Sequence, residues 1–361
     1  MAGSFARFAR VNLAPPKYLS MPTFGVDVSV SGIKAALLTE HAHGLELSTY
    51  AEEILPEGAF TSAEITDTAA VIKAITEIAK KNKIRTAAIA LPESRTYLFE
   101  ADVVGKTPMA LATAVEARID EFVPLPPSEV AFDIVPAGKK GEETHIVGVG
   151  YARRVITQSL SVFDDAGVSV RAIESELFSM PRAVLRPGDP ATVVIIDIGK
   201  TTTKLIVVAN RLPRYATTLD IGGHALTQAV QKYFGVSEEE ARRVKVERGL
   251  VAAGGNEDYR AAMLSTVSAI REEIARRLEY WQTKAVGEGD HEPISRAIVV
   301  GGNATVKGLP EYLAAGLKIP VELGDVFTNL APRDKWLPSI EYNHSLAYAT
   351  AIGLALRTYV P

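Results

Sequence analysis

Val193–Val208 reads VVIIDIGKTTTKLIVV. Two β-branched apolar runs, VVII and LIVV, flank a short polar tip, the pattern of two buried strands joined by a tight hairpin. Asp197 breaks that pattern. An acid directly after four apolar residues has no reason to end a buried strand unless something there requires it, because an unpaired charge is costly to bury. Gly199, Lys200, Thr201, Thr202 and Thr203 follow. A turn offering backbone N–H groups and hydroxyls beside a carboxylate suits a phosphate and its Mg²⁺, a hard cation that takes oxygen ligands. Gly/Thr-rich turns are also common in plain hairpins, so the stretch alone leaves the simpler reading open.

A second copy narrows the choice. Phe24–Leu38 reads FGVDVSVSGIKAALL, and placing Asp27 on Asp197 puts Ser29 on Gly199, Ser31 on Thr201 and Lys34 on Lys204. An internal repeat of this kind predicts two similar halves. Each offers an acid and a hydroxyl-rich hairpin, so two lobes would grip one phosphate chain between them. Asp27 and Asp197 are the candidate metal-holding acids. Ser29, Ser31, Lys34, Gly199, Lys200, Thr201 and Thr202 are candidate phosphate contacts. A third piece, Ala297–Leu313, reads AIVVGGNATVKGLPEYL. An apolar strand runs into Gly301, Gly302 and Asn303, and a helix with Pro310 near its start follows. Paired glycines after a strand let a flat ligand approach the backbone closely. Leu219–Thr227, LDIGGHALT, places a further pair, Gly222 and Gly223, before a helix.

These motifs in this order resemble the actin/Hsp70-type fold, a two-lobed α/β nucleotide-binding architecture. Within it the chain resembles the PilM family of type IV pilus assembly proteins, relatives of the division protein FtsA. Ala117–Asp133, ARIDEFVPLPPSEVAFD, is similar to that family's inserted middle subdomain, and Ser345–Arg357, SLAYATAIGLALR, to its final helix. The resemblance covers about residues 18 to 358. It implies ATP and Mg²⁺ between the lobes, and a partner: the short N-terminal cytoplasmic peptide of a PilN-like membrane protein. That peptide would lie in a groove between the first lobe and the inserted subdomain, linking pilus motors and other platform proteins to the inner membrane. It also implies a Glu and a Lys near the ribose on a helix of the second lobe. Lys245 takes the Lys position, whereas Arg242 stands where the Glu is expected. Lys200 occupies a place where relatives commonly carry a small residue, so it either contacts phosphate or crowds it.

Composition sets wider bounds. The chain has 361 residues, too many for one typical core, so two or more domains are expected. It is 47% hydrophobic and 23% charged with a formal net charge of −4, which gives no support for a nucleic-acid surface. There are no cysteines, which excludes disulfides, zinc-thiolate sites and thiol catalysis. No apolar run approaches the roughly 18–20 residues of a spanning helix, and the start has no continuous apolar core of a signal peptide. The reading is a cytoplasmic protein, peripheral at the inner membrane through its partner.

In chain order, residues 1–22 form a basic leader with Arg7, Arg10 and Lys17 and no acid. It is either a flexible tail or a short amphipathic helix at an anionic membrane. Residues 23–190 make the first lobe. Strands are expected near Leu45–Ile54 and Thr86–Leu91, with an amphipathic helix over Asp67–Lys81 carrying Ala70, Ile72, Ile75, Ile78 and Ala79. The insertion spans about 97–152, with one helix over Pro108–Phe122, the Pro124–Pro127 turn, and strands at Val130–Val135 and His145–Ala152. Val168–Ile173 is a strand that leads to Glu174, Glu176 and a helix. Acids at such a junction are where the resembled fold holds a water-orienting group. Glu176 is the catalytic candidate and Glu174 the second, against the simpler role of a carboxylate favoured by the helix dipole. Residues 191–361 make the second lobe, with a helical subdomain at about 225–290. Its last helix, Arg260–Lys284, sets Met263, Val267, Ile270, Ile274, Leu278 and Trp281 on one core stripe. The closing helix, 345–357, is expected to pack back on the first lobe.

Other chemistry fails on spacing. Gly199-Lys200-Thr201 and Gly105-Lys106-Thr107 imitate a P-loop ending, but Val194 and Glu100 stand where its first glycine belongs. His41 and His43 have no evident third metal ligand. The expected function is therefore an ATP-binding assembly scaffold, with weak ATPase activity left open. The alternatives are an FtsA-like division protein and a small-molecule kinase, for which Asp220 is the conceivable base.

Overall fold

The computed structural model describes residues 23–251, 257–288 and 293–359. The leader at 1–22 lies outside them. The first lobe opens with the antiparallel meander Phe24–Ser29 (β1), Gly32–His41 (β2) and Gly44–Glu53 (β3), then a small ribbon of Phe60–Thr61 (β4) and Glu64–Ile65 (β5). Thr68–Asn82 (α1) begins at Asp67, whose carboxylate accepts the Ala70 amide and satisfies one of the free donors of a helix start. Its buried face is Val71, Ala74, Ile75, Ile78 and Ala79, and Ala70 and Ile72 sit at the margin. Thr86–Leu91 (β6) then runs parallel to β1.

After β6 the chain leaves the sheet. Tyr97–Val103 (β7), Pro108–Glu116 (α2), Ile119–Phe122 (α3), Val130–Lys140 (β8) and Glu143–Ala152 (β9) build a separate three-stranded sheet in the order β7-β9-β8. The single helix expected over Pro108–Phe122 is two. Arg118 leaves helical geometry at φ −128°, ψ 18°, and its guanidinium grips both Glu121 oxygens and lies 5.4 Å from the Phe122 ring. Val115 and Ile119 keep helical spacing across the break, and both are buried in the same small core, so periodicity cannot reveal it. Arg153–Asp165 (α4) returns the chain to the lobe, and Ser169–Ser175 (β10) pairs parallel with β6. The first sheet has the order β10-β6-β1-β2-β3. Glu176–Val184 (α5) follows directly.

The second lobe repeats the plan. Val193–Ile198 (β11), Thr203–Ala209 (β12) and Leu212–Leu219 (β13) are antiparallel neighbours. Gly223–Phe234 (α6), Glu238–Arg248 (α7) and Glu257–Glu288 (α8) are helical. Met263, Val267, Ile270, Ile274, Leu278 and Trp281 of α8 all lie in the main core. Arg296–Val300 (β14), Leu309–Leu317 (α9) and Val321–Leu323 (β15) complete a sheet of order β13-β12-β11-β14-β15. In each sheet, therefore, a three-strand meander is extended by two parallel strands on the side of its first strand. The chain closes with Tyr342–Ser345 (α10), a 3₁₀ turn at Leu346–Tyr348, and Ala349–Leu356 (α11).

Every residue of α11 is buried, as befits a helix apolar but for Thr350. It lies on β1, close enough that a Cβ at Gly25 would strike the Ala351 carbonyl and the Ala355 amide. On its other side a Cβ at Gly353 would strike the Ser179 carbonyl of α5. The absence of side chains at Gly25 and Gly353 is what lets this last helix wedge between the first sheet and α5.

Candidate functional site

A cavity of about 860 Å³ opens between the two sheets. Both hairpins point into it. Asp27 stands opposite Lys34 across the β1–β2 ladder, and Asp197 stands opposite Lys204 across β11–β12. At the first tip the Ser29 and Ser31 hydroxyls are 3.0 Å apart. Lys34 donates to Ser31 Oγ at 2.8 Å and pairs with Glu52 at 3.2 Å. At the second tip the Gly199 amide donates to the Thr202 carbonyl at 2.9 Å, which folds the tip into a tight loop of Lys200, Thr201 and Thr202 on the cavity wall.

The strand–glycine segment supplies the third wall. Gly301 follows β14 at φ +95°, a backbone state that favours glycine. A Cβ there would strike Asp197 Oδ1 and approach the Ile198 carbonyl to 2.6 Å. Gly302 and Asn303 line the cavity beside it. Asn303 reaches beneath the second tip and donates from Nδ2 to the Gly199 carbonyl at 2.8 Å.

Not every residue singled out in the sequence faces the cavity. Gly222, Gly223 and Lys245 stand behind the second tip rather than on the wall. The Gly223 amide donates to the Gly199 carbonyl at 3.0 Å, and a Cβ at Gly222 would meet the Thr202 amide at 2.7 Å. Lys245 is 4% exposed and spends its three protons on Gly223 O, Thr227 Oγ1 and Asn303 Oδ1, all neutral acceptors. Burial, helped by the positive Arg242 nearby, brings its pKa down to about 8. Lys245 thus braces Asn303, and Arg242 is turned outward to Glu238 at 2.8 Å.

The floor of the cleft is acidic. Glu176 begins α5 at 2% exposure, with the Ser175 hydroxyl capping the Leu177 amide. Its Oε1 accepts the Glu93 amide and its Oε2 accepts Lys204 Nζ at 2.6 Å. Lys204 Nζ is also 3.7 Å from Asp197 Oδ2. Desolvation raises Asp27 to about 6 and raises Asp197 as well, with Lys204 opposing in both cases and Glu176 adding to the rise. Glu93 is raised to about 7 by burial, against a hydrogen bond donated by the Thr218 hydroxyl. For Lys204 burial pulls the other way, but the carboxylates of Glu176, Asp197 and Asp27 outweigh it and hold the ammonium charged. Glu174, the second acid candidate, faces away from the cavity. It forms a bidentate pair with Arg182 at 2.6 and 3.0 Å and a further contact to Arg357 at 3.0 Å.

Lys204, which the repeat matches to Lys34 without a role, and Glu93, which contacts Glu176 from beside the cavity, are two charged residues of the site that reading the motifs did not assign. A signal existed for each. Lys204 falls opposite Asp197 once the hairpin register is counted, and Glu93 follows Pro92 at the carboxyl end of a parallel strand, where such sheets place their ligand groups. Among the described residues no three His, Asp or Glu converge as a metal-binding group, and His41 and His43 both turn to Glu46 instead.

A family model described as type IV pilus assembly protein PilM matches residues 25–359. The chain belongs to the PilM family. Among solved structures, a PilM–PilN type IV pilus biogenesis complex is similar over 94% of this chain and 99% of that one, at 19% identity and a TM-score of 0.75. The ethanolamine utilization protein EutJ from Carboxydothermus hydrogenoformans is similar over 96% of this chain and 91% of its own, at 15% identity and TM-score 0.55. MreB5 of Spiroplasma citri bound to ADP covers 86% of this chain and 94% of its own, at 14% identity and TM-score 0.53. At these identities the likeness speaks to the fold, which is actin-like. With the PilM family shown, the cell-division and small-molecule kinase alternatives fall away. Among the described residues no helix is long and apolar enough to cross a membrane.

Proposed function

We propose that this PilM-family chain binds ATP in the cleft between its lobes and, in that state, holds the N-terminal cytoplasmic peptide of a PilN-like membrane protein. The observation that carries the nucleotide reading is the facing of two hairpins across one cavity, with hydroxyls and amides at both tips and Gly301-Gly302 on the third wall. Donors on two sides suit a phosphate chain, and the bare glycine backbone suits the flat base and sugar. Lys34, Ser29 and Ser31 would hold phosphate from one lobe, and Gly199, Lys200, Thr201 and Thr202 from the other. Mg²⁺ would arrive with the phosphates and take most of its oxygens from them and from water. Asp27 would orient it from outside that shell, while Asp197 already faces the Lys204 ammonium at 3.7 Å.

The solved complex of a similar PilM with PilN supports the partner class. Through such a partner the protein would sit peripherally at the inner face of the cytoplasmic membrane, in contact with other platform proteins and the motors that drive pili.

Calorimetric titration tests this. ATP-Mg²⁺ is expected to bind wild type and to bind Lys34→Ala at least about tenfold more weakly. A PilN-like N-terminal peptide is expected to bind with an affinity that changes when ATP is present, as reciprocal coupling requires. Peptide binding without any ATP affinity would leave a scaffold that kept the fold and lost the ligand.

A further inference from the structure

Lys204 occupies an unusual place in the repeat. Its counterpart Lys34 stays with its own hairpin tip, donating to Ser31 Oγ at 2.8 Å. Lys204 leaves its tip and runs into the acids on the cleft floor. Its ammonium is 2.6 Å from Glu176 Oε2 and 3.7 Å from Asp197 Oδ2, with only 19% of the side chain exposed. The second oxygen of Glu176 is taken by the Glu93 amide. The two halves of the molecule therefore share an Asp–Lys ladder pair, at Asp27–Lys34 and Asp197–Lys204, and differ in where the lysine is sent.

The charge arrangement has a direct consequence. Asp197 and Glu176 are oxygen donors of the type that attracts a divalent ion. Here a lysine already stands against both. A lysine ammonium is a compact point charge with three donors, and because it is tethered to β12 it is present at full local concentration. A divalent ion drawn to Asp197 would meet that like charge within a few ångströms, in a setting where water screens poorly.

We infer that Lys204 is a built-in counter-cation: it supplies from the chain the positive charge that the Asp197–Glu176 carboxylates would otherwise take from a bound metal, so that nucleotide binding depends little on Mg²⁺. This deepens, and rests on, the reading of the cleft as a nucleotide site. It also gives Glu176 a definite state. Each of its oxygens already accepts one hydrogen bond, from Lys204 Nζ and from the Glu93 amide, and the ammonium beside it weakens it as a base for a water. A cleft built this way favours standing occupancy over turnover.

The test is ATP titration of the full chain by calorimetry, in Mg²⁺ and in EDTA, with Mn²⁺ binding to the nucleotide-free protein followed by electron paramagnetic resonance. For wild type the two ATP affinities are expected to lie within about threefold of each other, with no bound Mn²⁺ at roughly millimolar concentration. In Lys204→Met the ATP affinity in EDTA should fall at least about thirtyfold below that in Mg²⁺, and Mn²⁺ should bind the nucleotide-free protein. If Lys204→Met does not fold with Glu176 left unpaired, Lys204→Met/Glu176→Gln removes that buried charge and keeps Asp197 for the same measurements. A wild type that loses ATP steeply on chelation, or that binds Mn²⁺ alone, overturns the role of Lys204 and leaves the nucleotide site standing. A variant as indifferent to Mg²⁺ as wild type does the same. Absence of ATP binding to wild type in both buffers overturns the nucleotide reading itself, and the role of Lys204 with it.

Discussion

Glu93 stands at 8% exposure between the lobes, its carboxylate accepting the Thr218 hydroxyl of β13 and its amide serving Glu176. Burial raises its pKa from 4.5 to about 7. The folded state therefore holds a proton there that the unfolded chain has already released, and stability falls with pH in that window. The stabilisation is complete below about 4.5 and is lost as pH rises through about 7. Glu93→Gln keeps an acceptor for Thr218 and cannot ionise. It should gain on wild type by up to about 2 kcal/mol between pH 5 and 8, read from denaturant melts across that range. A parallel pH profile for both proteins would refute this. The legibility of single residues follows their local context. Asp197 announces itself because an acid interrupts a β-branched run, and Asp27 because the repeat sets it in the same place. Glu93 does not, because a carboxylate after Pro92 is indistinguishable in sequence from a solvated loop acid until β13 folds over it.

At the scale of elements, the inserted sheet is pinned to the second lobe by a polar cluster. Arg214 of β13 donates to Glu100 Oε2 at 2.6 Å and lies 3.0 Å from His145 Nε2. The other ring nitrogen of His145 is 2.7 Å from Asp102, which also takes Lys140 at 3.0 Å. Hydrogen bonds from Lys140 and His145 hold Asp102 below the usual carboxylate range. Arg214 and Glu100 are 14% and 25% exposed, so their pairing is worth more than that of a free surface pair. A double-mutant cycle on Arg214→Met and Glu100→Gln should return a coupling of about 1 kcal/mol or more. Zero coupling would mean the cluster merely decorates the contact. The same region shows where periodicity stops being informative. The strands β7, β8 and β9 are close to their expected places. The break between α2 and α3 depends on Arg118 reaching Glu121 and Phe122, which no spacing rule encodes.

For the molecule as a whole, the main core is continuous from Leu38 and Leu47 of the first sheet through α5 and α11 into the second. That continuity predicts a single cooperative unfolding transition rather than two. ATP at about a hundredfold over its dissociation constant should stabilise the protein by roughly 2.7 kcal/mol and raise that one melting temperature by several degrees. Two resolved transitions, only one of them moved by ATP, would show that the lobes melt separately.

What the sequence determined by itself is the repeat. Two copies of acid, polar tip and apolar flanks specify two hairpins, because alternation and turn chemistry act over a few residues. The match of strand order between the two sheets follows from that duplication. The distribution of charge in the cleft, by contrast, is settled by long-range packing. Lys34 and Lys204 are equivalent in register, yet one serves its hairpin tip and the other neutralises Glu176, while Lys245 turns inward to brace Asn303. Long side chains settle among partners drawn from α5, α6 and the turn after β14, far apart in sequence. Their direction is set by which buried charge needs compensation once the lobes have closed around it.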